Sequence, residues 1–342
     1  MNTSKLSRRD FIKLSGLGMA SLLAPPLNFN LQDTFTPHQG RVTTRTIWLY
    51  DEPNFQANRL KIYPRDSLFT ITNTAISDDD SAHNRVWYEI EELGYVYSGN
   101  VQPVKTLLNT ARMDIPQEGL LSEVSVPYTD AYEEPDAQSK VVYRIYYEST
   151  HWINSVSISE KDGQVWYQIR DDKWNKLYYT RAEHLRIFSA EELAPISPDV
   201  PNEEKKIEVR LDSQIVIAYE YNRPVFAVSA ATGGILRSGT YTTPQGNFVT
   251  WYKRASRHMA AGDLAANGFD LPGVPWVSYI TESGVAFHGA YWHNDFGRPR
   301  SHGCINLSPQ NSKWIYLWTT PDVPHNKEFV VNRIATKVNI ST

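Results

Sequence analysis

The stretch Ser301-His302-Gly303-Cys304-Ile305-Asn306 holds the only cysteine of a 342-residue chain, and a second His-Gly pair, His288-Gly289, begins sixteen positions before that cysteine. A thiol is a nucleophile only as its thiolate, so it needs an imidazole nearby to take or balance its proton. When it attacks a carbonyl, backbone N–H groups must face the oxyanion that forms. Gly303 lets the backbone approach a bound molecule with no Cβ in the way. One stretch thus supplies a nucleophile, two candidate bases and a tight turn. A plainer account competes with it, in which the cysteine is a small buried hydrophobe and the histidines are satisfied polar groups. The export signal described below favours a use for the thiol, because an unpaired cysteine outside the cell is exposed to oxidation.

His288 followed by the 301–306 motif resembles the signature of the L,D-transpeptidases with a YkuD catalytic domain. Two upstream segments extend the resemblance. Thr242-Thr243-Pro244-Gln245-Gly246-Asn247-Phe248 is similar to that family's turn and strand. Gly273-Val274-Pro275-Trp276-Val277-Ser278-Tyr279 is similar to the segment leading to its base histidine. Three motifs in the right order make the resemblance specific, over roughly residues 205 to 334.

At this length two to three domains are expected, and 41% hydrophobic residues with 20 Tyr and 10 Trp suffice for packed cores. Ser7-Arg8-Arg9-Asp10-Phe11-Ile12-Lys13 resembles a twin-arginine motif. A short, weakly apolar stretch follows and ends at Pro25-Pro26, which describes a signal peptide in a segment placed at 1–33 and not a membrane span. Without residues 1–24, which hold Lys5, Arg8, Arg9, Lys13 and Asp10, the net charge moves from −4 to −7. That sign gives no electrostatic footprint for nucleic acid. The expected location is the cell envelope, outside the cytoplasm and associated with the wall.

An internal repeat occupies the middle of the chain. Arg85-Val86-Trp87-Tyr88-Glu89-Ile90 returns about 79 residues on as Gln164-Val165-Trp166-Tyr167-Gln168-Ile169, and Tyr50-Asp51-Glu52-Pro53 returns as Tyr132-Glu133-Glu134-Pro135. That period means a duplicated domain and not a solenoid. Each copy alternates apolar and polar residues in short β-branched and aromatic runs. The copies, at 40–108 and 118–192, resemble bacterial SH3-like modules. Trp87 and Trp166 read as core residues in mid-strand. A Pro-rich linker at 193–204 precedes the catalytic domain at 205–336. The expected fold class is mainly β: two small SH3-like barrels, then a YkuD-type β-sandwich with one short helix after the nucleophile. That helix is expected at 308–318, capped by Ser308 with Pro309 in its first turn.

The family resemblance implies the roles. Cys304 is the nucleophile and His288 the general base. Gly289 fixes the base through its carbonyl, and His302 is structural or positions substrate. The N–H groups of Gly303 and Cys304 are oxyanion-hole candidates. Ser301 and Asn306, counted with the substrate-binding residues, hold the loop by hydrogen bonds. Trp276, Tyr291 and Trp292 are candidates for the groove wall, with ordinary packing as the competing account. Arg298 and Arg300 are candidates for a stem-peptide carboxylate. His258 and His293 fall in no motif. No metal or cofactor is expected, since metal would quench the thiol and no CxxC or HExxH spacing occurs. The implied activity is a peptidoglycan L,D-transpeptidase, acting on tetrapeptide stems through a thioester, forming 3→3 cross-links and open to carbapenem inhibitors. The alternatives are an L,D-carboxypeptidase and a non-catalytic wall-binding protein. A monomer is expected.

Overall fold

The computed structural model describes residues 38–236, 239–262 and 268–342. The twin-arginine segment at 1–33 lies outside them. The described chain is mainly β, with one α-helix.

Strands β1 (His38–Val42), β2 (Thr46–Tyr50), β3 (Arg59–Pro64), β4 (Leu68–Ile76), β5 (Val86–Ile90), β6 (Gly94–Tyr97) and β7 (Val101–Val104) form a seven-stranded sheet in the order β3-β2-β6-β5-β4-β1-β7. Strands β8 (Leu120–Val124), β9 (Tyr128–Tyr132), β10 (Val141–Tyr146), β11 (Thr150–Ile158), β12 (Val165–Arg170), β13 (Leu177–Arg181) and β14 (Leu185–Ile187) form a second, in the order β10-β9-β13-β12-β11-β8-β14. The two orders are the same permutation, and in both copies a 3-10 turn, Ser98–Asn100 or Ala182–His184, precedes the last strand. The sequence repeat is therefore a repeat of topology. Trp87 and Trp166, at matching positions in β5 and β12, are 1% and 0% exposed. Trp87 packs edge-on against Tyr50 and Tyr97, with ring centroids 5.5 and 5.6 Å away.

The remaining strands are β15 (Lys205–Arg210), β16 (Ile215–Glu220), β17 (Arg223–Ser229), β18 (Ile235–Leu236), β19 (Gly239–Thr240), β20 (Gly246–Val249), β21 (Tyr252–Ala261), β22 (Phe269–Tyr279), β23 (Ala286–Gly289), β24 (Ile305–Leu307), β25 (Phe329–Val331) and β26 (Lys337–Ser341). They make two five-stranded sheets, β17-β16-β15-β26-β20 and β24-β23-β22-β21-β25, and a small β18-β19 pair. Val209, Val216 and Ile340 from the first large sheet meet Phe287, Ile305 and Leu307 from the second in one core. Helix α1 (Pro309–Trp318) adds Ile315 and Trp318 to it. Ser308 caps the helix by accepting the Asn311 N–H at 3.2 Å, and Pro309 suits a first-turn position where no N–H is needed. At the other end two lysines meet the free carbonyls, where a cation is favoured. Lys253 Nζ donates to Tyr316 O and Thr319 O, and Lys205 Nζ to Trp318 O. Burial pulls Lys253 down to about 7.

The linker is not a free spacer. Leu193 is buried, and the Ile196 N–H donates to Leu317 O at 2.9 Å. Leu193 joins Leu121, Trp152 and Phe188 of the second copy in a cluster with Ala255, Trp276 and Tyr316. Gly273, at φ +69, is required here: a Cβ would stand 2.3 Å from the His151 ring and 2.8 Å from Thr150 O. The first copy docks through Arg41, which is 2% exposed. Its guanidinium donates to Asp66, Gln102 Oε1 and Tyr291 O at 3.0, 2.7 and 2.8 Å.

Candidate active site

β23 and β24 run parallel, with Phe287 opposite Ile305, His288 opposite Asn306 and Gly289 opposite Leu307. Side chains alternate across a strand. Phe287, Ile305 and Leu307 therefore face the core. His288 and Asn306 face the other way, and so does Cys304, two residues before Asn306. All three line a cavity of about 630 Å³. Gly289 cannot be larger: a Cβ would lie 2.7 Å from Pro275 Cγ, 2.8 Å from Ser312 Oγ and 2.9 Å from Pro309 Cα.

The loop before Cys304 is held from several sides. Ser301 Oγ donates to Cys304 O at 2.5 Å and accepts the Gly303 N–H at 3.0 Å. Thr243 Oγ1 donates to Gly303 O at 2.8 Å and accepts the Gly233 N–H at 2.9 Å. The N–H groups of Arg300 and Ser301 both donate to Thr232 O, and Asn306 exchanges backbone bonds with Ala231. Gly303 adopts φ +115, which favours glycine, with Thr242 O 3.2 Å from where a Cβ would sit.

The protons follow from the partners. His288 Nδ1 lies 3.2 Å from Gly289 O. A carbonyl only accepts, so Nδ1 carries the proton and Nε2 keeps a lone pair. Burial, which disfavours the imidazolium, holds His288 at about 4. Burial likewise pushes the Cys304 thiol up to about 11, partly offset by the Ala286 N–H. Cys304 Sγ contacts Gly284 O at 3.7 Å, and no hydrogen bond joins it to His288 among the described residues. The resting pair is a neutral thiol and a neutral imidazole. A lone-pair nitrogen and a thiol on one face of a cavity can pass the thiol proton to that nitrogen as the sulfur attacks a carbonyl.

The structure sorts the candidates. His302 is exposed on the cavity wall, in edge contact with Tyr241 at 4.4 Å. Trp292 sits 5.7 Å from the His288 ring, and Tyr291 lines the cavity beside it with its hydroxyl on Pro272 O. Four expectations change. Trp276 does not line the groove: it is 2% exposed, packed on Phe188 and Tyr316 under the second copy. The Gly303 N–H is taken by Ser301, so it is not free for an oxyanion, whereas the Cys304 N–H donates to no described residue. Ser301 is buried and spends its hydroxyl on the loop, not on a substrate. Arg298 and Arg300 both pair with Asp295, which is 0% exposed, and only Arg300 reaches the cavity. Asp295 also accepts the Tyr97 hydroxyl at 2.7 Å.

Sequence reading missed Asp295, which holds Arg298 and Arg300, and the arginines 41, 45, 65 and 144, which line the cavity from the two repeated copies. No spacing signal points to them. Thr243 did stand in a quoted motif, without a role. Asn306 brings its amide within 3.1 Å of His293 Nε2, and burial holds His293 well below its ordinary value.

Residues 204–340 match the family model YkuD, described as the L,D-transpeptidase catalytic domain. The chain therefore carries a catalytic domain of that family in this segment. Among solved structures it is similar to a mutant Enterococcus faecium L,D-transpeptidase, at 22% identity and TM-score 0.31, over 40% of this chain and 50% of that one. It is similar to an L,D-transpeptidase from Mycobacterium smegmatis at 16% identity and TM-score 0.33, over 55% and 99%. The structure of the Ldtfm-avibactam carbamoyl enzyme aligns at 23% identity and TM-score 0.31, over 41% of this chain and 49% of its own. The chain thus spans about half the length of the first and third of these structures. No curated protein matches it.

Proposed function

We propose that this protein is a peptidoglycan L,D-transpeptidase that forms 3→3 cross-links through a Cys304 thioester. The observation that carries the reading is the shared face of Cys304, His288 and Asn306 on one cavity, within the segment matched by the family model. In this reading Sγ turns from Gly284 O toward His288 Nε2 and gives up its proton. The sulfur attacks the carbonyl between the third and fourth residues of a tetrapeptide stem, and the Cys304 N–H faces the oxyanion. His288 then protonates the departing amine of D-alanine as the C–N bond breaks. A side-chain amine of a second stem attacks the thioester, its proton passes to His288, and the thiol is restored. Trp292 beside His288 helps keep water from the thioester, which favours the amine.

The same reading includes export by the twin-arginine route, a cell-wall location and a monomeric chain. It also takes the repeated sheets as SH3-like modules. Carbapenems would acylate Cys304. The test is mass spectrometry of the protein incubated with a purified disaccharide-tetrapeptide. Dimers lacking one D-alanine are expected, and Cys304→Ala abolishes them. Tripeptide alone would mean an L,D-carboxypeptidase. No change, with Cys304 reduced, would remove both enzymatic readings.

A further inference from the structure

The cavity around Cys304 is walled by three parts of the chain, and its charge is uneven. Five arginines line it, Arg41, Arg45, Arg65, Arg144 and Arg300, against one carboxylate, Asp270. Three of the five have partners. Arg41 is buried against Asp66, Arg144 pairs with Asp130 and Asp66, and Arg300 pairs with the buried Asp295. Asp270 is itself engaged by His258 and the Tyr143 hydroxyl. Arg45 and Arg65 are exposed, and among the described residues neither makes an ion pair. Their backbones are tied together, with the Arg65 N–H donating to Arg45 O at 3.0 Å, so both belong to one corner of the first sheet. In a chain of net charge −4 this leaves a pair of uncompensated cations on the wall of the cavity.

We infer that Arg45 and Arg65 form a carboxylate-binding subsite of the active-site cavity. The inference rests on the reading of Cys304 as an acyl-transfer nucleophile. A guanidinium offers five N–H donors in a planar fork that fits a carboxylate two bonds at a time. The ligand is therefore an anionic peptide, held by a free carboxylate at the first sheet while one of its amides lies at Cys304. The role expected of Arg298 and Arg300 passes to this pair, because both of those guanidinium groups are already engaged by the buried Asp295. The first sheet is then part of the specificity apparatus: it selects peptides whose carboxylates are free over peptides whose carboxylates are amidated.

The experiment compares the full chain with its R45Q/R65Q variant, each also carrying Cys304→Ala so that no turnover intervenes. Calorimetry measures binding of three tetrapeptide probes: one with all carboxylates free, one amidated at the C-terminus, and one amidated at its internal carboxylate. The expected result is at least tenfold weaker binding of the free peptide by the variant. Amidation at one of the two positions should cost the parent protein a similar factor and the variant little, which also identifies the carboxylate held. Equal binding by parent and variant, or an equal loss for all three probes, would overturn the subsite. Alkylation of Cys304 by iodoacetamide in R45Q/R65Q with Cys304 intact checks the fold and is expected at the parent rate. A Cys304→Ala parent that binds the free peptide through the arginines, while the chain with Cys304 intact forms no acyl-enzyme with that peptide, would refute the proposed function and leave the subsite standing.

Discussion

Alkylation of Cys304 by iodoacetamide across the pH range reads the protonation of the resting site directly. Only the thiolate reacts. With the thiol pushed up to about 11, roughly one molecule in 10⁴ carries thiolate at pH 7, where an unburied cysteine carries a few per cent. The rate at pH 7 should thus lie roughly a few hundred-fold below that of an exposed thiol, rising about tenfold per pH unit. It should level off only near 11. His288, held at about 4, supplies no positive charge near neutrality, so His288→Gln should follow the same curve. Acyl transfer behaves differently. The imidazole takes the proton during attack, so the rate should stay level from about pH 5 upward and drop by about 10²–10⁴ in His288→Gln. An alkylation plateau at or below pH 7 that vanishes in His288→Gln would mean a resting thiolate–imidazolium pair, and would refute the argument.

Trp276→Ala should lower thermal stability by about 3–5 kcal/mol, as for a large core side chain; a groove-lining Trp276 would instead leave the melting curve in place and weaken substrate binding. Arg41→Ala leaves Asp66 with Arg144 as its remaining ion partner but takes the donor from Gln102 Oε1 and Tyr291 O in a buried junction, and should cost about 1–3 kcal/mol, read by urea unfolding. Gly289→Ala forces a methyl against Pro275, Ser312 and Pro309, so about 1–3 kcal/mol of overpacking is expected, together with a displaced His288 and slower acylation of Cys304 by a carbapenem. Burial depresses His288 to about 4 and His151 to about 3. The unfolded chain therefore binds protons more tightly at both, and their contribution is full above about 6.5 and lost as pH falls through these values. The urea midpoint should fall between pH 7 and pH 4, and less steeply in His151→Gln.

What the sequence discloses here is local chemistry and period. Ser308 and Pro309 announced the helix because capping is decided within one turn. The alternation in Val86-Trp87-Tyr88-Glu89-Ile90 gave a strand with a buried tryptophan. The Cys304 loop was legible because its residues are adjacent in the chain. Trp276 misled because its strand alternation does not say which neighbour covers it, and the cover came from Phe188 and Trp152 of another sheet. Arg298 and Arg300 misled because nearness to the motif cannot show that Asp295 lies buried between them. Arg45 and Arg65 stand more than two hundred residues before Cys304. Only the docking of the first sheet brings them to the cavity, and no periodicity encodes that docking.

The parallel pairing of β15 with β26 carries a mechanical consequence. Lys206 lies opposite Lys337 and Arg210 opposite Ser341, near the middle of a five-stranded sheet. The chain enters β15 at its Lys205 end and leaves β26 at its Ser341 end, so the two exits lie at opposite ends of the pair. Tension applied between the linker and the residue beyond Ser341 drags the strands past each other lengthwise. All the ladder bonds between them are then loaded together, where a hairpin pulled at its open end loses its bonds one at a time. Along this axis the catalytic sheet is a lap joint, and across it a zipper.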